Sequence, residues 1–276
     1  MIKSIIGLFL LLSNVSTFAS DSTYYSCKYR LTSQKDPKNL LSKFNDIMIL
    51  SMADHSTLFY SYLKQFGNRN FEQYISKNSK QNDENGGIVK IDNTGKRPEF
   101  YMLQESEIIG IDYKKKKLYL SDKLLLNEYK YEDTLVSPFW KIGFSTSLIL
   151  NQRCKMATTT FKGRNYIAWF APLIPFHYGP WLFNGLPGLI LKVEDDKGQF
   201  LFECIELNTN KASTSVFKEY SDAVKISKTG LRLKKKLLAE NYTEYMKVEE
   251  GKTILRDGEP FIQPNKPYNP IDLSGK

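Results

Sequence analysis

The chain has 276 residues, of which 41% are hydrophobic, and its 39 lysines and arginines outnumber its 30 aspartates and glutamates. This length is sufficient for one large domain with a buried core, or at most two. The net charge of +9 includes two lysine runs, at 114–117 and 234–236. We interpret them as solvated turns and helix faces; contact with an acidic partner is the alternative. Nucleic acid is not an expected partner, because the sequence contains no recognisable nucleic-acid-binding module.

The first 19 residues have the pattern of a secretory signal peptide. Lys3 precedes a short apolar run that begins at Ile5, and Ala19 supplies the small residue expected before a cleavage site. Polar residues from Ser13 onward interrupt the run, which is too short for a membrane-spanning helix. We therefore expect an exported mature chain, from residue 20 onward, without a transmembrane segment.

The segments that follow are mostly predicted strands. Short apolar stretches rich in β-branched and aromatic residues are separated by turns of Gly, Asn, Asp or Lys, which is typical of a β-sheet. The predicted strands span 24–31, 47–52, 88–91, 99–103, 108–112, 118–120, 124–131, 139–142, 147–151, 156–161, 166–171, 189–193 and 199–207. Residues 114–117 form the turn of one predicted hairpin, and residues 194–198 form the turn of another.

Two segments show helical spacing instead. Residues 59–75 fit a short amphipathic helix, and residues 227–249 fit a second helix that packs on the sheet. Four prolines between 260 and 276 predict an extended, irregular tail. The expected fold is therefore mainly β (α+β), with one domain over residues 20–259 and the tail at 260–276. Its centre is a large curved antiparallel sheet, which could be a half-barrel, with one or two packed helices.

The sequence contains three cysteines, Cys27, Cys154 and Cys204. Export would place them in a compartment where a disulfide is chemically permitted, and the sequence leaves all three pairings open. Cys27 and Cys204 lie on the apolar faces of predicted strands, which favours core positions whether they are free or bridged.

The most unusual segment is an apolar loop at 172–188, which contains four prolines and three glycines among aromatic and aliphatic residues. Ordinary surface loops are polar, so the side chains of this loop must be buried and its backbone polar groups must find partners. Two interpretations remain open. The loop is either a buried plug that closes one end of the sheet, or the wall or lid of an apolar ligand cavity.

The hexapeptide from Gly185 to Ile190, Gly-Leu-Pro-Gly-Leu-Ile, resembles the signature of the GLPGLI family of exported Bacteroidota-type proteins. Neighbouring features occur in the order found in that family: Gly163-Arg164, Ala168-Trp169-Phe170, Gly179-Pro180-Trp181 and the ending at 268–273. One departure is Asp272, where Glu is commoner in the family. The resemblance implies a periplasmic or secreted protein with a β-rich fold, and it implies no reaction, because the family has no established activity.

Catalytic and metal-binding patterns are weak. The two histidines, His55 and His177, have no neighbouring cluster of cysteines or carboxylates, so no metal site is predicted. No cofactor-binding motif is present. Cys154 and His177 could form a nucleophile–base pair, although a packed or bridged cysteine is the simpler interpretation. Arg164 could pair with a carboxylate or with backbone carbonyls, or present its guanidinium to an anionic ligand.

These features predict a non-enzymatic periplasmic binding or carrier-like protein for a hydrophobic or amphipathic ligand. The alternatives are an accessory protein that docks on an outer-membrane receptor, and a secreted hydrolase that uses Cys154 and His177. A carrier requires an enclosed apolar cavity, whereas a docking protein requires a filled sheet and an exposed apolar patch. The predicted ligand-binding residues are Arg164, Trp169, Phe176, His177, Trp181, Phe183, Leu186 and Pro187.

Overall fold

The computed structural model describes residues 25–39, 41–62, 107–125, 127–208, 223–249, 251, 255–256, 259–260 and 266–274. The predicted signal peptide, the predicted strands at 88–91 and 99–103, and most of the predicted helix at 59–75 lie outside the described residues.

Strands account for most of the described chain. They are β1 (Tyr25–Gln34), β2 (Lys43–Met52), β3 (Ser56–Ser61), β4 (Ile108–Asp112), β5 (Lys117–Leu124), β6 (Asn127–Thr134), β7 (Lys141–Ile149), β8 (Gln152–Phe161), β9 (Arg164–Ala171), β10 (Leu189–Asp195), β11 (Phe200–Asn208) and β12 (Val224–Lys225). A separate pair is formed by β13 (Leu255–Arg256) and β14 (Glu259–Pro260).

Among the described residues, β1 to β12 form one open sheet in the order β12-β6-β5-β4-β3-β2-β1-β11-β10-β9-β8-β7. The strand pairs are antiparallel except for the parallel contact of β12 with β6, so the sheet is mixed rather than wholly antiparallel. The predicted mainly β fold with packed helices is confirmed. Strand β7 lies at one edge of this sheet and β12 at the other.

Strand β1 shows why these segments form strands. Cys27, Tyr29 and Leu31 are buried on one face, as their spacing of two residues predicts. Lys28 and Arg30 point to the other face, where they form cross-strand ion pairs with glutamates of β11. Burial of the apolar face on one side, with solvated charge on the other, fixes which way the strand faces.

The predicted helix at 59–75 starts later than predicted: residues 59–61 form the end of β3, and Tyr62, the last described residue of this segment, is helical. Phe59 and Tyr60 belong to β3, in which every residue from Thr57 to Ser61 is buried. A strand that is buried on both faces has a continuous apolar pattern, which periodicity cannot distinguish from a helix.

The predicted helix at 227–249 is present as two helices, α1 (Lys228–Glu240) and α2 (Tyr242–Glu249). Helix α1 begins where the Ser227 hydroxyl accepts a hydrogen bond from the Gly230 N–H at 3.0 Å. Asn241 separates α1 from α2, because its φ and ψ of −150° and 74° lie outside the helical region. Both helices pack on the sheet through buried residues, Leu231 of α1 and Tyr245 of α2.

All three cysteines are buried free thiols, on β1, β8 and β11. The described tail residues, 266–274, have no regular secondary structure. The Leu273 N–H donates a hydrogen bond to the carbonyl of Lys162, in the β8–β9 turn, at 2.8 Å. Within the described residues, neither helix is long and apolar enough to cross a membrane.

Candidate functional site

The apolar loop at 172–188 connects β9 to β10 and is tied to itself and to β10 by backbone hydrogen bonds. The Gly185 N–H donates to the His177 carbonyl at 2.8 Å, and the Ile190 N–H donates to the Tyr178 carbonyl at 2.9 Å. Tyr178 and Asn184 form an isolated β-bridge. These bonds satisfy polar groups of a backbone that lies largely against the core.

Gly188 marks the tightest point of this loop. Its φ is +146°, and a Cβ atom there would lie 2.3 Å from the Ala171 carbonyl oxygen. Only glycine allows the backbone of the loop to approach the end of β9 this closely. The second glycine of the hexapeptide is therefore explained by packing.

Phe183 lies at the centre of an aromatic cluster beneath the loop. Its side chain is fully buried. The ring centroids of five other aromatic residues lie 4.7 to 6.2 Å from the Phe183 centroid. These residues are Trp140, Phe161, Tyr166, Trp181 and Phe202. Trp181, Phe183 and Leu186, three of the predicted ligand-binding residues, are thus brought together in the core.

The other predicted loop residues do not converge on that cluster. His177 and Pro187 are exposed, and the His177 ring donates from Nδ1 to the Leu186 carbonyl at 2.8 Å. Phe176 is half-buried against Tyr178, whose ring stacks on Tyr113 at 4.4 Å. Trp169, on β9, is also half-buried. The eight predicted residues therefore lie partly in the core and partly on the surface.

Arg164 is buried and bound within the chain. Its guanidinium forms an ion pair with Asp195 at 3.1 Å and donates to the Gln199 side chain at 2.8 Å. It also donates to the Asn269 side chain and to the carbonyls of Pro270 and Ile271, at 2.7, 2.9 and 3.3 Å. Arg164 thus pairs with a carboxylate and with backbone carbonyls, and those carbonyls belong to the C-terminal tail.

Cys154 and His177 each bind a backbone carbonyl, and no hydrogen bond joins these two described residues. The Cys154 thiol donates to the Gln152 carbonyl at 3.4 Å. Burial raises the pKa of Cys154 to about 11, so the thiol is protonated at neutral pH. Because the thiolate is the nucleophile, this geometry gives the hydrolase hypothesis no support. The part of the chain that the structure describes also contains no group of three His, Cys, Asp or Glu side chains able to hold a metal ion.

Two surface grooves lie away from the predicted residues. One, of about 430 Å³, is open to solvent and lies between Phe139, Lys141, Thr158 and Asp196. The other, of about 310 Å³, is lined by Arg30, Asn45, Asp46 and Ile47. None of the eight predicted ligand-binding residues lines either groove.

The feature that sequence reasoning missed is the exposed apolar edge of the sheet, formed by β7 and the segment before it. Phe139, Phe144 and Leu148 expose 82%, 103% and 69% of their surface, and Ile142 exposes 51%. We call these four residues the β7 surface. The sequence predicted two strands here, at 139–142 and 147–151, and the structure has one strand. The four large apolar residues stand among Ser, Thr and Gly in the sequence, which is a weak sign of exposure. The sequence does not show that the strand they form lies at the edge of the sheet.

Basic side chains flank the β7 surface. Lys141 of β7 and Arg153 and Lys155 of β8 are exposed, and none of the three forms an ion pair with a described residue. On the register of this hairpin, Leu148 lies opposite Arg153 and Thr146 opposite Lys155. The edge of the sheet is therefore apolar and positively charged.

A family model described as "Protein of unknown function (Porph_ging)" matches residues 151–192, which include β8, β9 and the apolar loop. No curated protein matches the chain. Two solved structures of PNGF-II, in the P21 and C2 space groups, are similar at 15% and 16% identity with TM-scores of 0.47 and 0.48. Each match covers 75% of this chain and 32% of that chain, so this chain spans about a third of the length of those structures.

Proposed function

We propose that this protein is a non-enzymatic docking protein that binds a partner protein through the β7 surface. The observation that carries the proposal is the exposure of four large apolar side chains along one sheet edge, Phe144 completely. Large contiguous apolar patches on the surface of a soluble protein mark interaction sites. An outer-membrane receptor is one partner consistent with an exported accessory protein.

A carrier for a hydrophobic ligand is the competing function, and the packing of the apolar loop favours docking over it. The carrier hypothesis required Trp181 and Phe183 to line a cavity. Both are instead packed against other aromatic rings in the core. A side chain whose surface is already covered by the protein has none left for a ligand.

We also propose that the chain is a GLPGLI-type exported protein, periplasmic or secreted. The family match at 151–192 is consistent with this, because it includes the Gly185–Ile190 hexapeptide and names a family of unknown function. The signal-like N-terminus supports export.

Site-directed photo-crosslinking in the source cells tests the docking function. A photoreactive phenylalanine at Phe144 is expected to crosslink to one discrete protein. The control position is Leu233 on helix α1, which is also apolar and 57% exposed. The same amino acid there should give no such product. The complex should then form from the two purified proteins, and Phe144→Ser should weaken it about tenfold or more.

Native mass spectrometry of the protein purified from its own cells tests the competing carrier hypothesis. Stoichiometric lipid in the purified protein, with no Phe144-dependent protein complex, would contradict docking and favour the carrier.

A further inference from the structure

We infer that β7 binds an extended, acidic segment of its partner as an added β-strand. This rests on the proposed docking function and specifies how the partner binds. Addition of a strand to an exposed sheet edge gives affinity through main-chain hydrogen bonds, and side chains of alternate residues give specificity.

The hairpin geometry shows which backbone groups of β7 are available. The β7–β8 turn consists of Leu150 and Asn151, with φ of 48° and 60°. Positive φ at both positions is the mark of a two-residue type I′ turn, in which the flanking residues Ile149 and Gln152 form a hydrogen-bonded pair. Hydrogen-bonded pairs alternate along an antiparallel ladder, so the next such pair is Ser147 with Cys154.

Leu148 and Thr146 are consequently the residues whose N–H and C=O groups point away from β8. No described strand lies beyond β7, so within the described chain these groups have no strand partner. Their spacing of two residues is the spacing at which an incoming strand forms its hydrogen bonds. An exposed strand of this kind is a ready template for another chain.

The charges beside β7 indicate the chemistry of the incoming strand. Arg153 and Lys155 are exposed opposite Leu148 and Thr146, and Lys141 lies at the start of β7. Direct cross-strand partners share a face of the sheet, so Leu148 and Thr146 lie on the face that carries Arg153 and Lys155. Glutamates or aspartates at alternate positions of the incoming strand would place carboxylates on that same face. Arg153 and Lys155 lie one strand further in, on β8, and opposite charges on one face of a sheet attract while like charges repel.

The same charges argue against a second copy of this chain as the occupant. Pairing β7 with β7 of another molecule would bring two sets of Lys141, Arg153 and Lys155 to one interface. Exposed lysines at an edge strand are a known defence against such self-association. An acidic strand does not meet that repulsion.

Fluorescence anisotropy with a labelled eight-residue peptide of alternating valine and glutamate tests the inference on the full chain. The wild-type chain should bind this peptide and should not bind its counterpart with lysine in place of glutamate. Thr146→Pro removes an outward N–H without removing a β7–β8 hydrogen bond, and should weaken binding about tenfold. Thr146→Ala, which keeps the N–H and loses only the side chain, should bind like wild type.

A double variant provides a test that does not depend on proline. Arg153→Glu with Lys155→Glu should exchange the preference, so that the lysine peptide binds and the glutamate peptide does not. Thermal unfolding of each variant verifies that it is folded.

Three outcomes would overturn the inference: equal binding of both peptides, identical binding by T146P and T146A, or a concentration-dependent dimer formed through β7. Failure of the docking function itself is distinguishable from these. If a Phe144-dependent protein complex persists in T146P with unchanged affinity, docking stands and strand addition is wrong.

Discussion

Arg164 joins the sheet to the C-terminal tail at a single buried guanidinium. Its side chain is 4% exposed and that of Asp195 is fully buried. Asp195 is held in turn, because its second carboxylate oxygen accepts the N–H groups of Gln199 and Phe200 at 2.7 and 2.8 Å. A buried charge with this many hydrogen bonds is costly to leave without its partner.

We predict that Arg164→Ala lowers the free energy of unfolding by about 3 to 5 kcal/mol, because it leaves the Asp195 carboxylate buried without its cation. The tail should also be released, since Asn269 and two carbonyls lose their donor. Urea denaturation measures the first effect, and carboxypeptidase digestion of the native protein measures the second.

Arg30→Ala is the matched control for this prediction. Arg30 pairs with Glu203 at 3.6 Å, with side-chain exposures of 53% and 43%. A surface pair of this kind contributes about 1 kcal/mol or less. Equal destabilisation by the two variants would show that the Arg164 network does not hold the tail.

The sequence predicted the kind of partner that Arg164 has, but not the partners themselves. A guanidinium at the start of an apolar strand must be paired, and that much follows from the cost of burying a charge. Its partners are 31 residues away at Asp195 and 105 residues away at Asn269. Only the register of the sheet and the path of the tail bring them together.

At the scale of elements, helix α1 is attached to the sheet through one member of the lysine run 234–236. Lys235 forms ion pairs with Glu107 at 2.5 Å and with Asp122 of β5 at 2.9 Å, and the Asp122 side chain is fully buried. Lys236 pairs with Glu240 within α1 at 3.8 Å, and Lys234 pairs with Glu249 of α2. Each lysine of the run therefore has a partner within the chain, as expected of a helix face.

Lys235→Ala is predicted to lower the free energy of unfolding by about 2 to 3 kcal/mol, because the buried Asp122 carboxylate loses the cation of its ion pair. Lys236→Ala, next to it in sequence, should change stability by less than about 0.5 kcal/mol, since the side chains of Lys236 and Glu240 are both solvated. Chemical denaturation of the two variants makes the comparison. Similar losses would contradict the structural link through Lys235.

The elements themselves were predictable where the local pattern had one interpretation. Strand β4 has the predicted bounds, 108–112, and the charged turn at 113–116 closes the predicted hairpin. Prediction was wrong where burial removes the alternation, as at Phe59 in β3. It also missed the break at Asn241, because the apolar spacing continues from α1 into α2 and the local backbone decides the boundary.

At the scale of the whole molecule, the sheet consists of two halves that meet where β1 pairs with β11. Strands β2 to β6 lie on one side of β1, and β7 to β10 lie on the far side of β11. The local sequence predicts strands but not their order, and the order decides which strand is an edge. This is why the aromatic plug could be proposed from the sequence, while the β7 surface could not.

Two buried cysteines are diagonal neighbours where β1 pairs with β11. Cys27 lies opposite Leu207, and Cys204 lies opposite Tyr29. A hydrogen bond with the Cys204 thiol, together with burial, raises the pKa of the Cys27 thiol well above its ordinary value. The folded protein therefore keeps Cys27 as an unreactive thiol, so a bridge can form only while the chain is folding and the sulfurs are accessible.

We predict that refolding in a buffer of oxidised and reduced glutathione gives a Cys27–Cys204 disulfide and leaves Cys154 as a free thiol. The bridge would close a loop of more than 100 residues, which by the chain-entropy account stabilises the fold by up to about 5 kcal/mol. Mass spectrometry of non-reduced peptides identifies the pairing, and the shift in unfolding midpoint on reduction measures the effect. Cys154→Ala should retain that shift and Cys204→Ala should lose it. A bridge that includes Cys154 would contradict the prediction, because β10 and β9 separate β8 from β11 in the sheet.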